Sequence, residues 1–99
     1  MVFIFCKVHG TGSNTVLAVC DKEILGKTLK EGKISFSASQ SFYKGAEVGE
    51  EELRKKIREF GNVNIVGNKA VSIALEEKLV SQESIVEIAG VKHVQIFKI

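Results

Sequence analysis

The stretch that most constrains this chain is Gly61–Val80, GNVNIVGNKAVSIALEEKLV. It reads as a strand, a tight glycine turn and a helix, with almost nothing between them. Asn62–Val66 is the strand, with Val63 and Ile65 on one face. From Asn68 to Val80, Val71, Ala74, Leu75 and Leu79 share a helical face, while Ile73 and Val80 lie off it. Such spread apolarity predicts a well-buried helix. A strand running straight into a helix implies a layered domain, and the other segments fall into place as its cover or continuation.

The flanking chain supplies that cover. The apolar run Val2–Val8 and the β-branched run Thr15–Cys20 are separated by Gly10-Thr11-Gly12-Ser13-Asn14, which predicts an antiparallel hairpin. Asp21 suits the cap of a short helical turn through Leu25, with Gly26 in the left-handed position after it. Lys27–Lys30 is extended. Ile34, Phe36 and Ala38 alternate with Ser35 and Ser37, a strand with one wet face. Ser39–Gly45 reads as a capped turn anchored by Phe42. Gly49–Phe60 is the clearest helix, with Leu53, Ile57 and Phe60 as a narrow apolar stripe. Its pairs Glu50–Arg54, Glu51–Lys55 and Glu52–Lys56 each contribute roughly 0.2–0.5 kcal/mol. Ser84–Ala89 and Val91–Ile99 are two further strands, turned at Gly90. A parallel arrangement across residues 62–88 would make a right-handed crossover.

The expected fold is therefore one α+β domain over residues 1–99, a mostly antiparallel or mixed sheet of about six or seven strands with two main helices. Composition agrees: 44% apolar and 26% charged residues are those of a globular chain and not of a disordered one. No run approaches the ~20 apolar residues of a membrane span, and the start lacks the pattern of a signal peptide. The expectation is a cytoplasmic protein with no membrane partner. Cys6 and Cys20 lie in apolar strands, without CxxC spacing or a Cys/His cluster, and are read as buried reduced thiols. No metal site and no cofactor is expected.

The net charge of +2 is only mildly basic, and all 14 basic residues are Lys except Arg54 and Arg58. That is weak for a dedicated duplex-DNA binder. Gly67-Asn68-Lys69 places a glycine, free N–H groups and a cation at a helix start, where an anion is favoured. It matches neither a P-loop nor a dinucleotide fingerprint, and a plain Asn cap accounts for it too. Gly10-Thr11-Gly12-Ser13 precedes a strand, so no helix dipole points at it. His93 and Gln95 share a strand face with Val91 and Phe97, a set able to stack on and hydrogen-bond unpaired bases. The basic cluster Arg54, Lys55, Lys56 and Arg58 is matched by the acids before it and reads first as a solvated helix face; Arg58, beside Lys55, also offers a phosphate contact. No nucleophilic catalytic set stands out.

The segments LAVCDKEILGKTLKEG from Leu17, SQSFYKG, NIVGNKAVSIALEEKLV and IAGVKHVQIFKI, in this order, resemble the archaeal family catalogued as domain of unknown function 424. The resemblance covers nearly the whole chain. It implies recurring positions at Asp21, Leu25, Gly26, Phe42, Tyr43, Gly67, Ala70, Gly90, His93 and Gln95. Where that family often reads GxPH, this chain has Gly90-Val91-Lys92-His93. The resemblance implies a cytosolic archaeal protein without established catalysis and an association with RNA or translation.

Three readings result. The first is a non-catalytic RNA-binding or translation-associated module with Gly67, Asn68, Lys69, His93, Gln95 and Arg58 as contacts and RNA or ribosome-associated factors as partners. The second is a phosphate- or nucleotide-ligand enzyme at Gly67-Asn68-Lys69, with His93 as acid–base. The third is a protein-interaction scaffold working through an exposed sheet edge, with the C-terminal strand as the candidate.

Overall fold

The computed structural model describes residues 3–12 and 14–98. The expected strand ends at Val2 and Ile99, and Ser13 of the first loop, lie outside the described residues. The main sheet has six strands in the order β5-β1-β2-β6-β8-β7. These are β1 (Ile4–His9), β2 (Val16–Asp21), β5 (Ala46–Val48), β6 (Asn62–Val66), β7 (Val86–Ile88) and β8 (Val91–Phe97). A separate antiparallel pair, β3 (Thr28–Glu31) and β4 (Ile34–Ser37), and a one-turn helix α1 (Gln40–Tyr43) fill the connection from β2 to β5. The two longer helices are α2 (Glu50–Glu59) and α3 (Asn68–Glu76). The α+β class and the mixed sheet follow the expectation.

All neighbouring pairs in the main sheet are antiparallel except β2 with β6, where Leu17 sits beside Val63 and Cys20 beside Val66. β6 and β7 run parallel, but β8 lies between them. The register divides the side chains into two faces. Ile4, Cys6, Leu17, Val19, Val63, Ile65, Val94 and Ile96 form a core with Leu53 and Ile57 of α2 and Val71 and Ala74 of α3. On the opposite face, Ala18, Cys20, Val66 and Ile88 pack under Leu29, Phe36, Ala38 and Tyr43. The β3–β4 pair and α1 are thus a lid on this second face. Its outer residues Thr28, Lys30, Ser35 and Ser37 are exposed.

Local differences from the sequence reading have physical reasons. The chain after Asp21 makes the expected short turn, with Ile24 N–H bonded to Asp21 O at 3.0 Å and Gly26 at φ 84°, but the Asp21 carboxylate caps α3 instead of this turn. The anchor of α1 is Tyr43, 2% exposed, rather than the half-buried Phe42. Ile34, expected inside, is 53% exposed at the turn end of the β3–β4 pair, opposite Glu31. Helix α3 stops at Glu76, not Val80. Lys78 adopts φ 60°, and its N–H and that of Leu79 bond back to Leu75 O and Ala74 O at 3.0 and 3.1 Å. That is a Schellman stop, with lysine where glycine is usual. Of the three expected helix pairs only Glu50–Arg54 is present among the described residues. Arg54 also reaches across to Glu76 at the end of α3 and to Glu77 just after it, at 2.7 and 2.8 Å.

Candidate functional site

The start of α3 is closed from within. Asp21, at the end of β2 and 1% exposed, accepts the N–H groups of Lys69 and Ala70, each at 2.9 Å. The carboxylate takes the place of an external anion at the positive end of the helix. Burial raises its pKa, and the two N–H bonds act in the opposite direction. Gly67, at φ 120°, leaves the room that Asp21 fills. Asn68 accepts Lys92 N–H at 2.9 Å and donates to Gly90 O at 3.1 Å, which fastens the β7–β8 turn. Lys69 pairs with Glu23 at 3.2 Å. All three residues of the expected anion cradle therefore have partners inside the chain.

The other expected residues lie elsewhere. Arg58, on α2, pairs with Glu77 and belongs to the network that joins α2 to α3. His93 and Gln95 stand together, as expected, on one face of β8 with Val91 and Phe97. That face is opposite to the one α3 covers, so the His93 ring and the α3 start are on different sides of the sheet. β8 is not an edge strand over Val91–His93, where β7 pairs with it; the edges are the short β5 and β7.

What the structure does assemble on the second face is a polar and aromatic strip. Asn64 Oδ1 accepts the Tyr43 hydroxyl at 2.6 Å and the His93 Nε2–H at 3.1 Å. With that hydrogen on Nε2, the neutral ring presents Nδ1 as an acceptor. Burial lowers the His93 pKa and so favours the neutral ring; burial raises that of Tyr43. Phe36 of the lid packs against the His93 ring with centroids 4.9 Å apart. Farther along, His9 stacks on Phe42 at 4.5 Å and donates from Nε2 to Phe42 O at 2.7 Å. Phe42 meets Tyr43 edge-on at 4.8 Å.

Beyond the lid the strip is open. Asn62 lies opposite Phe97, and Asn64 opposite Gln95. Gln95 Nε2 reaches Asn62 Oδ1 only at 3.5 Å, the outer limit of a hydrogen bond. Phe97 is 67% exposed. Asn62, Asn64 and Tyr43 were not singled out from the sequence as site residues. The readable signal was Asn62 and Asn64 at alternate positions in a strand whose other face is wholly apolar. No cluster of three or more potential metal ligands occurs among the described residues, and none of their helices is long and apolar enough to cross a membrane.

A family model described as "Protein of unknown function (DUF424)" matches residues 9–99. No curated protein matches the chain. Among solved structures, it is similar to the crystal structure of an uncharacterized conserved protein from Methanopyrus kandleri. The two share 30% identity, with 95% of this chain and 90% of the other covered, at a TM-score of 0.76.

Proposed function

The chain belongs to the DUF424 family of proteins of unknown function, and from that premise we propose that it is a cytoplasmic, non-catalytic module that binds single-stranded RNA across the open part of the second sheet face. The observation that carries this reading is the row Asn62, Gln95 and Phe97, with amide edges beside an exposed ring on the part of the sheet surface next to Asn64, where the contact of Tyr43 ends the lid. Unpaired bases are held by stacking on such rings and by hydrogen bonds to their edges. The adjoining lid carries Lys27, Lys30, Lys33 and Lys44, which have no acidic partner among the described residues, against the acids Glu23 and Glu31. Uncompensated lysines beside the strip favour a phosphate backbone.

The enzyme reading has less support. Its helix start holds Asp21, and His93 faces the other side of the sheet. General acid–base work needs hydrogen-bond reach.

The test is fluorescence anisotropy of the full chain with a labelled oligouridylate of roughly ten nucleotides. Phe97→Ala is expected to weaken binding about tenfold, since one stacked base contributes ~1–3 kcal/mol. Arg58→Ala and Lys69→Ala, both placed in ion pairs away from the strip, are expected to change it little. An unaltered affinity for a Phe97→Ala, Gln95→Ala double variant would remove the reading.

A further inference from the structure

The backbone phase of β8 adds a second surface to this strip. Gly67 N–H donates to Lys92 O at 2.9 Å and Lys98 N–H to Gly61 O at 2.8 Å. In an antiparallel ladder the residues whose groups face one neighbour alternate with those facing the other. Lys92, Val94, Ile96 and Lys98 therefore turn their backbone groups toward β6. Val91, His93, Gln95 and Phe97 turn theirs away from it. β7 meets Val91 and His93, through Ile88 and Val86, and ends there. The N–H and C=O groups of Gln95 and Phe97 point instead toward a cleft of about 420 Å³, lined across from them by the 78–84 segment with Lys78, Leu79, Val80, Ser81 and Ser84. That volume lies within the ~300–1,000 Å³ of small-ligand clefts.

The chemistry of this cleft is that of an anion site. It brings together two outward backbone N–H donors, beside which stand the carbonyls of the same two residues, two hydroxyls that bond to each other at 3.1 Å, and a lysine without an acidic partner among the described residues, which gives the cleft its net positive charge. Lys78 holds a left-handed backbone, φ 60°, at a helix stop where glycine carries no steric penalty. The one carboxylate of the 82–84 turn, Glu83, is exposed and does not line the cleft. An extended peptide would find only two backbone residues to pair with, Gln95 and Phe97, facing the wall formed by the 78–84 segment. A phosphate needs no ladder.

We infer that this cleft binds a phosphodiester of a single-stranded RNA whose neighbouring base rests on Phe97 and Gln95. This rests on the sheet-face reading above, because the same two residues offer side chains to the base and backbone N–H groups to the phosphate.

The experiment measures oligouridylate affinity against salt for the wild type, Lys78→Gly, Lys78→Arg and Phe97→Ala. Lys78→Gly relieves the backbone and is expected to leave the fold intact or firmer, so lost binding is not lost structure. The inference expects Lys78→Gly to weaken binding about three- to tenfold and to reduce the salt slope by about 0.7, the share of one phosphate contact on a single strand. Lys78→Arg should preserve both. Wild-type affinity and slope in Lys78→Gly, with Phe97→Ala weakened, would overturn the cleft and leave the sheet face standing. The opposite pattern would overturn the sheet face and with it the base placed on Phe97, leaving only a phosphate contact at Lys78, and a wild-type chain that binds no oligouridylate overturns both. Exchange protection of the Gln95 and Phe97 amides that rises with protein concentration, without RNA, would show pairing of two copies there and also overturn the cleft.

Discussion

A methyl group placed on Gly67 would stand 2.3 Å from Cγ of Asp21. The glycine and the aspartate are complementary: one omits the atoms that the other needs to reach the start of α3. The pair joins β2 to β6 and α3 across nearly half the chain, at the one parallel seam of the sheet.

Gly67→Ala should therefore be among the more damaging single changes. It combines a φ of 120° with displacement of a buried carboxylate. The expected loss is about 3 kcal/mol, combining backbone strain of ~1–3 kcal/mol with a weakened cap. Asp21→Asn keeps the shape but offers one acceptor oxygen for two N–H groups, and should lose about 2 kcal/mol. Urea unfolding checks both; a Gly67→Ala protein as stable as wild type would contradict the packing described.

His93 makes stability depend on mild acid. Its folded-state pKa lies below the ordinary 6.5 because burial disfavours the charged ring. A depressed pKa means that its stabilisation is complete above the unfolded value and is lost as pH falls through the folded one. Unfolding midpoints should drop from about pH 7 to about pH 5, and His93→Gln should flatten that slope relative to wild type.

Lys78→Gly should raise stability by roughly 0.5–1 kcal/mol, because a left-handed lysine costs about 1–2 kcal/mol and glycine loses part of that gain to chain entropy. A melting temperature that falls in this variant would mean that the lysine side chain stabilises the Schellman stop.

The Arg54 network ties the two long helices on the first face. Its guanidinium bonds to Glu76, Glu50 and Glu77, and the Arg54 hydrogen bond is the largest influence that lowers the Glu77 pKa. Arg54→Gln should lower the melting temperature by a few degrees in dilute salt. The difference should shrink as salt screens exposed charges. A difference that persists unchanged in concentrated salt would assign the role of Arg54 to packing of its stem.

Much of the fold is legible in local pattern. The strand at Asn62–Val66, the acidic-to-basic helix at Glu50–Glu59 and the turn at Gly90 follow from periodicity, charge order and glycine, which act within a few residues. Two things escaped it. The three-residue β5 has no periodicity to read and exists because Ala46–Val48 pairs with β1. Asp21 has two uses for its carboxylate, and sequence proximity favours the nearer one; only the parallel seam brings α3 close enough to claim it. For the site, alternation correctly grouped His93 with Gln95, but Tyr43 and Asn64 join them through contacts across 21 residues or more, which a local reading does not see.

Cys6 and Cys20 lie on adjacent strands yet on opposite faces of the sheet, one under the helices and one under the lid. Burial pushes their thiols up to about 11 and about 12. Neither has a thiolate to offer a labelling reagent while the chain is closed. The two sulfurs thus serve as separate clocks: the rate at which each is alkylated reports how often its own side of the sheet opens, and agreement of the two rates would mean that the domain opens as one unit.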